Sequence, residues 1–184
     1  MKIFCSILFG LLLVLIPPVA PAQTRPTASQ TLDFWITNTE KEVVSAADAM
    51  PEEKYSFTPT AGEFIGVRTF AEQVKHLSAA NYQLAALILG ENPPHGEHDE
   101  AAPDSIKSKA QIMDYVKGSF AALHRAVATI SEGNMLKPVT ASAGSQQGNR
   151  LHFAVDAVAH SYDHYGQMVE YLRMNGIVPP ASRR

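Results

Sequence analysis

An all-α fold, specifically a four-helix bundle, is predicted by three features of this 184-residue chain. Four stretches of about 18 to 26 residues repeat their apolar side chains at helical spacing. Capping boxes, prolines and glycines stand where such helices would start and stop. No stretch of useful length alternates with the two-residue period of a strand.

The first residues are set apart from that bundle. Lys2 gives a positive start, Ile3 to Ile16 is uncharged and mostly apolar, and Ala20-Pro21-Ala22 offers small residues to a signal peptidase. Residues 1–22 are therefore expected to be a secretory signal peptide, because the apolar run is short of the ~20 residues that span a bilayer. No stable membrane span is expected after cleavage, and the expected address is periplasmic or secreted. Residues 23–28 then form a disordered lead-in, 29–178 the bundle and 179–184 a tail. Cleavage removes Lys2 and the single cysteine, Cys5, leaving 14 basic against 18 acidic residues. The mature chain then has no disulfide and no thiolate ligand, so a metal would be held by nitrogen and oxygen. The formal net charge of -3 argues against nucleic acid or an anionic membrane as partner.

The first helix is expected over Ser29–Ala49, with Leu32, Trp35, Ile36, Val43 and Val44 on its apolar side and Met50-Pro51 at its end. Residues 51–68 contain two prolines and two glycines and form a long loop, either an active-site loop or a plain crossover. Thr69-Phe-Ala-Glu72 is a capping box, and a second helix runs from it to Gly90. His76 lies beside that helix's apolar face. Residues 92–104 read as a solvated loop carrying His95 and His98. Ser108-Lys-Ala-Gln111 caps a third helix, striped by Ile112, Val116, Phe120, Leu123, Val127 and Ile130 and closed at Glu132-Gly133. His124 sits at the edge of that stripe, as a structural or solvent-facing residue. Residues 134–149 form a flexible link. The fourth helix, Arg150–Asn175, has so wide a non-polar arc that burial on most sides is expected, while His152, Asp156, Asp163 and Glu170 share a solvated face.

In that fourth helix, His160 and His164 are four apart and so project from one face, a natural chelating geometry for a divalent ion. Alone the pair is a weak signal, since such spacing arises by chance. In a bundle, metal sites form in the core from facing helices, and His76 stands at a bundle-facing position. Three neutral imidazoles with one or two waters make an open site for zinc, nickel, manganese or iron(II). A di-iron centre is excluded, because it needs two Glu-x-x-His motifs and no such pair occurs. Gln167 and Asp156 are placed to orient a ligand imidazole, and Gly166 suggests close approach by a backbone or by the metal, or tight packing. Tyr162 and Tyr171 are placed to line the pocket or to pack in the core.

Val74-Lys-His76-Leu after a Thr-Phe-Ala-Glu start, then His160-x3-His164-Tyr-Gly-Gln-x3-Tyr-Leu-Arg-x2-Gly, resembles the DinB/YfiT-like family. Met50 to Pro59 resembles that family's loop between helices one and two, and the likeness spans about residues 30–178. The resemblance implies an up-down-down-up bundle holding a divalent metal, zinc or nickel first and manganese or iron second, on His76, His160 and His164. It also implies a metal-dependent hydrolase or a thiol-dependent transferase. The family is mostly cytoplasmic, and the export signal disfavours the thiol branch. The resulting expectation is a secreted metal-dependent hydrolase acting on a small molecule through a metal-activated water. The alternatives are a non-catalytic binding module of the cell envelope and a structural bundle whose histidines are hydrogen-bonded core residues. A homodimer through exposed helix faces is a further expectation. No general base is legible: Asp163 points about 100° from His164 on a helix, so the base is expected from loop 51–68 or from a metal-bound hydroxide.

Overall fold

Each long helix begins on a side chain that takes up its free amides, and these caps fix where the bundle's elements start. A computed structural model describes residues 25–60, 65–97, 100, 102–140 and 147–183. The proposed signal peptide lies outside the described residues. Helix α1 spans Ala28–Ala49, and its capping box pairs Thr27 with Gln30, so order begins before the end of the expected lead-in. Helix α2 spans Phe70–Leu89, starting on the Thr69–Glu72 capping box and ending at Gly90, whose φ of 74° is the left-handed cap that glycine adopts without strain. Helix α3 spans Lys109–Val127 from its Ser108–Gln111 box. Helix α4 spans Arg150–Met174, capped by Asn149.

Helix α3 ends at Val127, short of the expected stop at Glu132. The Thr129 hydroxyl donates to Ala126 O and the Asn134 amide to Thr129 O, turning the chain while Ile130 stays buried. Within the expected flexible link, whose residues 141–146 lie outside the described residues, two short strands pair. Strands β1 (Pro138–Thr140) and β2 (Gln147–Asn149) pair antiparallel, with Val139 opposite Gly148. Three-residue strands are too short to show a period in sequence.

Cross-contacts give the helix directions. Lys109, at the start of α3, donates to the carbonyls of Asp48 and Met50 at the end of α1, and Ala71 N at the start of α2 donates to Tyr55 O just beyond α1. Helices α2 and α3 therefore both run opposite to α1. Lys54 reaches Asn175 O beyond the end of α4, so α4 runs with α1. The order is up-down-down-up. Helices α1 and α2 each pack mainly against α3 and α4, around Ile36, Phe70, Leu77, Phe120, Phe153, Met168 and Leu172, all buried.

This topology dictates the next feature. Because α2 and α3 are parallel, residues 90–108 must return along the ~30 Å length of a 20-residue helix. The crossover of the fold is thus the α2–α3 connection, while loop 51–68 joins two neighbouring ends. Burial of α4 is narrower than expected: Val155 is 53% exposed and joins Phe34 and Trp35 in an apolar surface patch. Among the described residues, no helix is long and apolar enough to cross a membrane.

Candidate metal centre

His76 from α2 meets His160 and His164 from α4, where the two helices pack side by side. One ring nitrogen of each lies within 4.8 Å of the others, and the Nε2 atoms of His160 and His164 are 3.0 Å apart. Two nitrogens on one zinc ion, each at about 2.0–2.1 Å, stand no more than ~4 Å apart. The closer pair fits as it stands, while the limit of 4.8 Å for the three is wider than one zinc ion spans.

The hydrogen bonds around the rings decide which nitrogens carry lone pairs. Asp163 Oδ2 can only accept, so Gln167 gives it Nε2 at 3.0 Å. Gln167 Oε1 then receives Gln73 Nε2 at 2.7 Å, and Gln73 Oε1 faces His164 Nδ1 at 2.9 Å. His164 therefore carries its proton on Nδ1 and presents a lone pair at Nε2. His76 Nδ1 faces the Glu100 carbonyl at 3.2 Å, and its Nε2 also faces an acceptor, so either nitrogen can carry the proton. That Nε2 lies 3.3 Å from the Glu100 carboxylate.

Burial first, and then the neighbouring His160 and His76, push the His164 pKa down to about 4. Burial, then Arg68, holds His76 below its ordinary value. Both rings are thus neutral near pH 7. A proton on His160 Nε2 can bridge it to His164 Nε2 in the metal-free site, and a divalent ion can take that place. His160 Nδ1 adds a buried polar atom with no hydrogen-bond partner among the described residues. The donor set, three imidazoles with a carboxylate beside them, suits a borderline divalent ion. These residues could hold a metal.

Sequence reasoning missed two of the contributors. Gln73 is almost wholly buried, one turn before His76, and a polar residue inside an apolar stripe was its one signal. Gln167, expected to orient an imidazole, acts through Gln73, and Asp156 is exposed. Glu100 arrives on the crossover, with a φ of 53° that few side-chain-bearing residues adopt. Such strain at a site persists only where the surroundings over-determine it. The loop expected to be merely solvated is anchored by Glu97, fully buried, which accepts from the Tyr115 hydroxyl at 2.8 Å and from His95 N at 2.9 Å.

The other histidines lie elsewhere. His95 stacks by Tyr82 and Tyr115, His124 bridges Asp33 and Glu40, His152 lies edge-on to Phe153, and His98 is outside the described residues. Tyr171 is a core residue whose hydroxyl donates to Arg68 O, and Tyr162 lines the apolar groove with Trp35. Nothing stands within 4 Å of a side chain built at Gly166, so neither close approach nor tight packing accounts for it.

With this geometry in view, a family model described as the DinB superfamily matches residues 36–168. The chain belongs to the DinB superfamily. Among solved structures it is similar to a DinB-like protein from Bacillus cereus (18% identity, TM-score 0.61, covering 84% of this chain and 96% of that one). It is also similar to a DinB-like protein from Bacillus subtilis (15%, TM-score 0.62, 84% and 99%). A conserved protein from Enterococcus faecalis is a third (14%, TM-score 0.63, 82% and 98%). At these identities the likeness speaks to the fold. No curated protein matches the chain. The superfamily assignment and the all-α bundle agree with the expectations drawn from sequence.

Proposed function

We propose that this DinB-superfamily chain is an exported metal-dependent hydrolase of small molecules, with its ion held by His76, His160 and His164. One observation carries the reading: one ring nitrogen each of His76, His160 and His164 lie within 4.8 Å of one another, with the His164 proton held on Nδ1 by Gln73. A bound divalent ion would supply Lewis-acid activation of water and of a substrate carbonyl or phosphoryl oxygen. The protein's own groups do the rest. The relay from Asp163 through Gln167 and Gln73 holds the His164 ring, and the Glu100 carbonyl holds that of His76. The Glu100 carboxylate, beside His76 Nε2, is placed to accept a proton at Oε2 from a water entering the site. This supplies the base that the sequence did not reveal.

Export rests on the features of residues 1–22, and an export assay with a periplasmic reporter fused after Ala22 tests it. Turnover is tested on a panel of ester, amide and phosphoester substrates with zinc- or nickel-loaded protein. Expected is a metal-dependent rate that Glu100→Gln lowers by about 100-fold, in line with the 10²–10⁴ of general-base catalysis, with metal content retained. Metal uptake with no turnover on the panel would favour the non-catalytic binding module.

A further inference from the structure

Beside His76 opens a cavity of about 430 Å³, large enough for a small metabolite. Four charged side chains line it: Arg68, Glu72, Lys75 and Glu100. The two acids are already engaged. Glu72 takes both the amide and the hydroxyl of Thr69 in the α2 capping box, at 2.7 and 2.9 Å. Glu100 faces His76. The two bases stand near Glu72, whose pKa both help to lower. Neither Arg68 nor Lys75 forms an ion pair among the described residues. The Arg68 backbone is anchored, because its carbonyl accepts from the buried Tyr171 hydroxyl at 2.9 Å, while its side chain is exposed. With a divalent ion on the histidines, the wall and the ion together carry a formal charge of +2. Such a site attracts an anion.

We propose that this cavity binds an oxyanion, a carboxylate or a phosphate carried by a small-molecule substrate, through the Arg68 guanidinium and the Lys75 ammonium. The proposal deepens the hydrolase reading and rests on it for the reaction; without the metal the four wall charges cancel, so the anion is held by Arg68 and Lys75 alone and more weakly. The anionic group is bound at the cavity wall, and the remainder of the substrate extends past His76 toward the three-histidine cluster. Arg68 presents a planar fork of N–H donors suited to two oxygens at once, and Lys75 adds a point charge. The substrate class is therefore a small ester, amide or phosphoester bearing a second, unreacting anionic group.

Calorimetric titration at low ionic strength, where charge is least screened, tests this with inorganic phosphate, succinate and the neutral isostere succinamide. The protein is used zinc-loaded and metal-free; the chelator, itself a polyanion, is dialysed away before titration. Expected is binding of phosphate and succinate but not succinamide. Each of Arg68→Gln and Lys75→Gln should weaken it by about 10-fold, as one charged hydrogen bond is worth, and the double variant by roughly 100-fold, with the helical circular dichroism retained. Equal binding of succinate and succinamide, no binding of either anion, or full affinity in the folded double variant would each overturn the proposal. Binding that needs zinc and ignores the double variant also overturns it, because the anion then sits on the metal. Arg68- and Lys75-dependent binding by a protein that takes up no metal would uphold the anion site and remove the hydrolase reading.

Discussion

Replacing Gln73 by leucine removes the acceptor that fixes the His164 tautomer while keeping a side chain of similar bulk. Gln73 is 3% exposed, so no water can take its place. The His164 Nδ1–H, now 2.9 Å from an acceptor, would be left unpaired in the core, at a cost of about 1–3 kcal/mol. The ring would also be free to turn or to exchange tautomer. Loss of such a supporting group weakens metal binding by about 10–100-fold, which corresponds to roughly 1.4–2.7 kcal/mol and agrees with the hydrogen-bond figure. Competition against a chromophoric zinc chelator reads the affinity directly. Gln73→Glu supplies the contrast. It keeps an acceptor at His164, so zinc affinity should stay within a few-fold of wild type. It also forces the Gln167 amide to choose between donating to the introduced carboxylate and to Asp163, so the metal-free fold should melt lower. A folded Gln73→Leu protein whose zinc affinity lies within about threefold of wild type would refute the tautomer argument.

Two further outcomes follow from the structure away from the site. Burial opposes a charge on His124, but Asp33 at 2.6 Å and Glu40 at 3.1 Å outweigh it, so its pKa lies above the ordinary value. A raised folded pKa stabilises the protein fully below the unfolded value of about 6.5 and loses that contribution as pH rises through the folded one. In metal-free melts, the wild type should therefore exceed His124→Gln by more at pH 6 than at pH 9; an equal gap would show that folding does not raise the pKa of the ring. Gly166 is exposed, mid-helix and unobstructed, so Gly166→Ala should raise stability by about 0.5–1 kcal/mol in urea unfolding. A loss of stability there would reveal a contact partner.

The fold was legible because its determinants are local. Capping residues such as Thr69 and Ser108 bond amides three residues away, and apolar stripes such as Ile112 to Val127 repeat within one element. His160 and His164 were legible for the same reason. Gln73 and Glu100 were not, because their importance lies across the bundle: 91 residues separate Gln73 from His164, and Glu100 is delivered by a crossover whose path depends on helix direction. Once α2 and α3 are known to be parallel, that loop has to pass the level of His76. The same dependence hid the Val155–Trp35 patch, where an apolar stripe on α4 outruns the partners available to cover it. Patterns within one helix say which face is apolar. They do not say how much of that face its neighbours reach.

The central claim is that His76, His160 and His164 share one ion. Elemental analysis of untagged protein, purified at pH 7.5 and compared with the triple His→Ala variant, tests it most directly. Neutral imidazole is the binding form, so about one equivalent of divalent metal is expected at pH 7.5, falling as the pH drops toward about 4, where His164 takes up a proton. Less than about a tenth of an equivalent in wild type after incubation with zinc or nickel, or a triple variant that still takes up a full equivalent, would contradict the claim.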